Sequence, residues 1–501
     1  MIEDLIQAAI LVFNIKTLIA ISLGTIVGLM IGAIPGLSAT MGMALLSPFT
    51  FFVHPLVGIP FLIGLFKGGT FGGSVSAILI GTPGTAANAA TLLDGYEMRK
   101  QGKAGDAILG ALHASLVGDF FGTVALIFGA PALALIAIKF GPLEFFALIL
   151  FSLTMICYVS GRSLAKGVLA ATLGILFALI GTDPLGGTPR LTFGILHLQG
   201  GLNVIALVTG LFGITEVLIQ IEKFGPISKV TSISDNVYLT SLKDNIKIIS
   251  KHLRTIIRSS LIGTFIGALP GIGSETSPWV AYGLAKRASK KPEEFGKGTL
   301  DGVLAPEAAN NAVCGAAMIP MLVFGIPGDI VTAILMSALI AQGLQPGPFL
   351  IIEHKEVIYG LFISVLFATF TLYIFGRLTL KWWMKILTIP PALLYSLIVA
   401  FCVVGTYSVK TSSFDLAVMF VFGIIGYIFR KLDIALAPML LSFVLAKILE
   451  ESLRRGLVMV DGNLTALLQR PIAASILFLT CLVLVTFAYI EVRKRKSNKR
   501  Q

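Results

Sequence analysis

Residues 78–94 read ILIGTPGTAANAATLLD and residues 322–338 read LVFGIPGDIVTAILMSA, each an apolar run broken by Pro-Gly and resumed as a short, mostly apolar segment. Proline removes a backbone donor and clashes with the preceding turn, and glycine relaxes the chain further, so each break is expected to end one helix and begin another. Two more breaks precede them: GAIPGLSAT at 32–40 returns as GALPGIGSE at 267–275, an offset of 235, and GTPG at 81–84 returns as GIPG at 325–328, an offset of 244. The nine-residue difference is accounted for by an insertion, the charged KRASKKPEEFGK at 286–297. A weaker pairing in the same order joins 161–181 to 411–431. Matched motifs in matched order are the signature of an internal repeat.

The rest of the chain sets these breaks in a membrane. Hydrophobic residues make up 56% and charged residues 13% of the sequence, and the mean hydropathy is +0.92, more apolar surface than a soluble core of this size buries. Segments 17–33, 121–138, 360–376 and 472–490 approach or reach the roughly 20 apolar residues that cross a bilayer core. The expected fold is an all-α polytopic membrane protein of about 10–12 spans plus re-entrant half-helices. The start, MIEDLIQAAI, is acidic and lacks the pattern of a removable signal peptide, so the chain is expected to begin at Met1. We divide it into an N-terminal segment 1–16, repeat one 17–220, a linker 221–254, repeat two 255–453, a loop and final span 454–490 and a basic tail 491–501.

The net charge of +12 is concentrated in the linker region and in the tail EVRKRKSNKRQ, which the positive-inside rule assigns to the cytoplasm rather than to nucleic-acid binding. One span separates 454–471 from the tail, so repeat one ends inside and repeat two outside: the repeats are expected to be inverted. Arg99, Lys100 and Lys103 follow the second break of repeat one, whereas in repeat two the basic cluster Lys286 to Lys291 follows the first break, as opposite insertion requires. The cysteines Cys157, Cys314, Cys402 and Cys481 are isolated and read as small buried hydrophobes, and the five histidines show no metal-ligand spacing.

Non-helical backbone at membrane depth is tolerated where protein buries it or where it lines a wet cavity, and broken helices paired across inverted repeats point to a transporter's central site. A half-helix beginning after Pro83-Gly84 offers unpaired N–H groups and a positive dipole end, with Thr82, Thr85 and Asn88 beside it: a seat for a carboxylate. Pro327 and Gly328 are its counterparts in the second half. Ser38, Thr40, Ser274, Glu275, Thr276 and Ser277 stand just past the other two breaks, as substrate ligands or as helix caps. In APEAANNA (305–312), Glu307 shares a helix face with Asn310 or Asn311. That cluster suits oxygen ligation of Na⁺, a proton-carrying carboxyl, or a plain interhelical hydrogen-bond cluster. Lys67, inside the glycine-dense GLFKGGTFGGSVSAILIGTPG (64–84), is expected to snorkel to the surface, the alternative being a positive charge offered to an anionic substrate.

Over roughly residues 17–455 the chain resembles the large membrane subunit of the tripartite tricarboxylate transporter family, the TctA type. The resemblance is carried by GAIPGLSATMGMALLSPFTF, FGGSVSAILIGTPGTAANAATLLDGYEMRKQG, GALPGIGSETSPWVAYGLAKRASKKPEEFGKGTLDGVLAPEAANNA and GIPGDIVTAILMSALIAQGLQPGP. It implies a secondary carrier of citrate-like carboxylates in the bacterial inner membrane, working by alternating access of an elevator-like kind and needing no cofactor beyond its coupling ion, Na⁺ or H⁺. Its implied partners are a small four-helix membrane subunit (TctB type) and a periplasmic solute-binding protein (TctC type). An ATP-driven pump would need G-x-x-x-x-G-K-[ST], and an intramembrane enzyme would need HExxH, GxSxG or an equivalent pair; neither occurs. A channel, or a permease for another solute, is the alternative of the same architecture.

Overall fold

In the computed structural model, the described residues are 6, 10–34, 36–159, 163–223, 250–379 and 391–498. Most of the linker and the end of the basic tail therefore lie outside the described residues, as does Pro35 of the first break. The regular structure of the described residues is helical apart from two-residue strands, and eight of the helices are long and apolar enough to cross a membrane. Four shorter apolar helices accompany them.

Contacts divide the chain into two compact units, one of Met1–Ala134 and Ile205–Tyr427, the other of Leu135–Val204 and Ile428–Gln501. Their boundaries differ from those of the sequence repeats, since each unit draws on both halves of the chain.

The first unit is built on close-packed backbones. Helices α1 (Ile15–Ala33), α2 (Ala39–Thr50), α3 (Pro55–Ile80), α4 (Ala89–Lys100) and α5 (Ala104–Ala137) follow one another in the first half. Gly24, Gly28 and Gly32 on α1 meet α3 so closely that a Cβ on Gly28 would stand 2.3 Å from the Leu65 carbonyl oxygen. Gly64, Gly68 and Gly72 on α3 return the contact. Lipid gives apolar helices little reason to associate, and small residues every fourth position let dispersion between backbones do so. A lysine, leucine or valine at these glycines would separate the pair.

The second half repeats the order with α9 (Leu253–Gly267), α10 (Gly273–Ala288), α11 (Asp301–Ala316), α12 (Met318–Phe324), α13 (Ile330–Ala341) and α14 (Lys355–Leu378), followed by α15 (Pro391–Lys410) and α16 (Ser413–Lys431). Between the halves comes α8 (Val204–Glu222), which contains a π-helical turn at Thr209–Ile214. Here too backbones approach closely: a Cβ on Gly263 would lie 2.2 Å from the Ala309 oxygen, and one on Gly118 would lie 2.0 Å from the Ala308 oxygen.

The breaks share one geometry. Gly81 (φ +74°) and Gly325 (φ +67°) end α3 and α12 in the left-handed region that a side chain resists. After Gly81 the chain runs back along α3, so that the Gly84 N–H donates to the Gly73 carbonyl at 3.3 Å. It then turns forward as α4, which packs Gly95 on Ile78 and brings Tyr96 to Gly81. After Gly325 it likewise returns, placing Gly328 against Ala317, and the Gly271 N–H donates to the Gly328 carbonyl at 3.0 Å. The ends of these hairpins cross between halves. Gln101, just past α4, donates to the Lys297 carbonyl at 2.7 Å, and Gln342, just past α13, donates to the Thr50 carbonyl at the end of α2 at 2.9 Å.

The second unit contains α6 (Pro142–Val159), α7 (Leu164–Ala178), α17 (Ala437–Met459) and α18 (Pro471–Asn498). Here a strand pair, Gly181–Thr182 with Pro189–Arg190, is tied to α17 by charge. Arg190 pairs with Glu450 at 2.8 Å and Arg454 with Asp183 at 2.8 Å, so these arginines, together with Arg455 beside Glu451, each face a carboxylate. The Gly186 N–H, Arg454 and the Leu185 N–H hold the Asp183 carboxyl well below the usual carboxylate range. The cysteines are unpaired as expected, but Cys481 on α18 is exposed rather than buried, because that apolar helix presents much of its surface outward.

Candidate functional site

Three positions in the first unit carry polar chemistry at a depth where each unpaired group is costly. The first surrounds Glu307, fully buried on α11. Its carboxylate accepts hydrogen bonds from three hydroxyls on three other helices: Ser74 of α3, Thr91 of α4 at 2.5 Å and Ser115 of α5 at 3.3 Å. The arrangement is a cage of hard oxygen donors around one carboxylate.

That cage is joined to the second break. Asn88, at the threshold of α4, donates from Nδ2 to Ser74 Oγ at 2.6 Å and to the Thr70 carbonyl at 3.2 Å, while Thr85 Oγ1 donates to its Oδ1 at 2.5 Å. On the far side Asn311 donates to Ser115 Oγ at 2.8 Å and to the carbonyl of Glu307 one turn earlier. A continuous chain thus runs Thr85–Asn88–Ser74–Glu307–Ser115–Asn311. Asn310 is not part of it; both polar atoms of its buried amide lack a partner among the described residues. Among the described residues no three His, Cys, Asp or Glu side chains gather as a metal-binding group.

The half-helix seats differ between the halves. The new helix begins at Ala89, five residues after Gly84, and not directly at Pro83-Gly84. Asn88 directs its side chain to α3, leaving the first turn of α4 without a side-chain cap. The loop before it is open, with Thr82 exposed and Pro83, Gly84 and Thr85 half-buried. In the second half Asp329 caps α13 in a capping box, its carboxylate accepting from the Thr332 N–H at 2.8 Å while Thr332 Oγ1 accepts from the Asp329 N–H at 2.9 Å. Pro327 and Gly328 are buried beneath it, and Ser274 faces the Asp329 carboxyl. The positive end of α13 therefore already holds an internal carboxylate, whereas that of α4 does not.

Of the hydroxyls past the first break, Ser38 caps α2 by accepting from the Met41 N–H at 3.1 Å, which is the capping reading, and Thr40 is half-buried beyond it. Past the third break Thr276 is half-buried, Glu275 exposed, and Ser277 buried with its hydroxyl 3.4 Å from the Ala309 carbonyl. Gly84 does not occupy a positive-φ conformation; its need for glycine comes from Gly32, whose oxygen would lie 2.5 Å from an added Cβ.

Lys67 corrects its expectation. It does not snorkel: only 1% exposed, it pairs with Asp119 of α5 at 2.8 Å and donates to Thr369 Oγ1 and the Val365 carbonyl of α14. Groups of α5 and α14 satisfy the ammonium inside the protein, so it has no need of the surface. Asp119 was within reach of sequence reasoning as an acid inside the 34-residue apolar stretch 104–137. Asp94 is another residue the motifs did not single out. It is buried on α4 and accepts from Tyr282 Oη at 2.9 Å and from the N–H groups of Gly296, Gly298 and Thr299, which anchors the end of the hairpin.

Broken helices, a buried carboxylate cage and an uncapped helix end at membrane depth define a multi-pass membrane protein of the transporter class. The profile of the tripartite tricarboxylate transporter TctA family matches residues 18–441, and the chain belongs to that family. It is 35% identical over 465 residues to an uncharacterized 52.8 kDa protein in the TAR-I ttuC' 3' region of Agrobacterium vitis, covering 92% of each chain. It is 38% identical over 234 residues to an uncharacterized protein in the TAR-II ttuC' 3' region of the same organism, covering 46% of this chain and 97% of that one. No solved structure matches the chain.

Proposed function

We propose that this chain is the membrane-spanning translocation subunit of a cation-coupled carrier that imports small carboxylates across the bacterial inner membrane by alternating access of an elevator-like kind. A periplasmic solute-binding protein delivers the substrate, and a small four-helix membrane subunit accompanies the chain. The observation that carries this reading is the hydrogen-bond chain from Thr85 and Asn88 at the uncapped end of α4 to the carboxylate of Glu307. A carboxylate at that helix end and a cation at Glu307 would share polar partners, so occupancy of one changes the energy of the other. Linkage of that kind is what coupled transport requires. Thr82, Pro83, Gly84, Thr85 and Asn88 form the substrate side of the site. Thr40, Ser274 and Thr276, half-buried past the matching breaks, are read as further substrate contacts, with Ser38, Pro327 and Gly328 shaping the breaks behind them; Glu307 with Asn311 forms the cation side, to which the amide of Asn310, unpartnered among the described residues, adds a spare ligand.

The two halves, 17–220 and 255–453, are read as inverted repeats joined by a cytoplasmic linker, 221–254. The crossing of hairpin ends supports this, since α4 runs forward along α3, away from the end of α2, and its Gln101 meets the stretch that follows α10, the counterpart of α2. Reporters fused after Gln101 and within 286–297 should both indicate cytoplasm. Opposite signals from the two fusions would sink the inversion.

Transport supplies the functional test. With both partner proteins present, proteoliposomes containing the chain should take up labelled citrate or a related carboxylate with saturation, and only under an inward Na⁺ or H⁺ gradient. Flux that rises linearly with concentration and ignores both gradients would instead establish the channel reading.

A further inference from the structure

The ammonium of Lys67 lies at the meeting of α3, α5 and α14 with four oxygens around it. These are Asp119 Oδ2 at 2.8 Å, the Val365 carbonyl at 2.6 Å, Thr369 Oγ1 at 2.7 Å and Thr123 Oγ1 at 3.3 Å. A carboxylate, a main-chain carbonyl and two hydroxyls are the hard donors that alkali and alkaline-earth cations choose. Lysine and aspartate are 1% and 0% exposed at their side chains, so neither group exchanges its partners for water. Neither Asp119 oxygen has a hydrogen-bond partner among the described residues; Oδ2 meets the ammonium as an ion pair, and Oδ1 is an oxygen the ammonium leaves unused. The ammonium's three donors are taken by Val365, Thr369 and Thr123, and the Asp119 carboxylate stands beside them as a fourth, ion-paired oxygen. A carboxylate, a carbonyl and two hydroxyls gathered on one point are the oxygen shell that a free cation of the same charge would also find.

We propose that these residues form an alkali-cation site in which Lys67 is a tethered occupant. Covalent attachment keeps this cation in place, so it cannot cross with the substrate. It neutralises Asp119 permanently and leaves the travelling ion to the separate cage at Glu307. Thr70, one turn beyond Lys67 on α3, accepts from Asn88 through its carbonyl, which places the fixed charge one helical turn from the residues of the uncapped helix end. The site itself does not depend on the carrier reading, because it is defined by the isolated chain's own oxygens.

Its test is restoration of the missing cation. Lys67→Ala removes the ammonium and opens the space its side chain fills, leaving Asp119 buried without a counter-ion. Detergent-purified parent and variant are melted at pH 8 in choline chloride and across a NaCl titration, with KCl and LiCl as comparisons. In choline the variant should melt below the parent. Added Na⁺ should raise its melting temperature with saturation, by about 2–4 °C beyond any rise in the parent. Introducing Asp119→Asn beside Lys67→Ala should remove that extra rise, since it discards the anionic ligand. Glu307→Gln beside Lys67→Ala should leave it in place, which separates this site from the proposed coupling site. The inference is overturned if Lys67→Ala elutes as a single folded species without a saturable Na⁺ response, or if the response survives Asp119→Asn. It is equally overturned if Lys67→Ala cannot be recovered even when membranes are solubilised in sodium, while Lys67→Ala/Asp119→Asn can. None of these outcomes involves transport, so a failure of the carrier reading leaves the result interpretable.

Discussion

Glu307→Gln is expected to abolish gradient-driven accumulation while the protein still assembles. The side chain is fully buried and its carboxylate is held by the hydroxyls of Ser74, Thr91 and Ser115, with the Asn88 amide beside them. A hydroxyl can turn to accept as readily as it donates, so a glutamine amide of nearly the same volume can be satisfied by the same three partners. What glutamine cannot do is carry a proton or neutralise a bound cation at this depth. One charge moving across about 100 mV supplies about 2.3 kcal/mol, which sustains roughly 40-fold accumulation of a coupled solute. The variant should lose that factor and bring substrate only to equal concentrations on the two sides. Uptake is measured in proteoliposomes under an imposed gradient and normalised to folded protein, with melting temperature as the check on assembly. Accumulation equal to the parent's would return Glu307 to a structural hydrogen-bond cluster between helices.

How far the sequence carried this picture depends on the range of each interaction. The breaks at Gly81 and Gly325 were legible because proline and glycine act on their own backbone, and both glycines do terminate helices in the left-handed region. Glu307 and Asn311 could be placed on one face by helical spacing, and Asn311 does donate to the Glu307 carbonyl. The donors to the Glu307 carboxylate could not be read, because Ser74, Thr91 and Ser115 are 233, 216 and 192 residues away in the chain. Lys67 failed for a related reason. A lone lysine in an apolar run looks for water when its partner is unknown, and here the partner, Asp119, arrives on another helix. The asymmetry of the two half-helix ends was partly visible, since Asp329 follows GIPG directly whereas Thr85 follows GTPG. Aspartate is a strong N-cap, so the end it caps is the one already satisfied from within.

A loss of both uptake and assembled protein is expected at Gly84. A Cβ there would stand 2.5 Å from the Gly32 oxygen and 2.7 Å from the Gly73 Cα, both main-chain atoms of helices locked together by their own glycine contacts. No rotamer change relieves such an overlap; α1, α3 or the returning loop must move, and overpacking of this kind costs typically 1–3 kcal/mol. About 1.4 kcal/mol already corresponds to a factor of ten, so Gly84→Val should cut uptake by at least that factor. Part of the loss should show as reduced assembled protein. Gly328→Val meets Ala317 at 2.8 Å and should behave in the same way, because the second hairpin returns along its helix as the first does. Thr85→Val is the discriminating companion. It keeps the shape of a half-buried side chain but removes the hydroxyl that faces the Asn88 Oδ1, leaving a fully buried amide oxygen without its donor. An orphaned buried acceptor costs about 1–3 kcal/mol, and here the penalty falls on the residue that connects the helix end to the Glu307 cage. Thr85→Val should therefore assemble normally and transport poorly, with the half-saturation concentration raised. Uptake normalised to protein in the membrane is compared for the three variants and the parent. If all three transport as the parent does, the breaks serve packing alone and the carboxylate binds elsewhere.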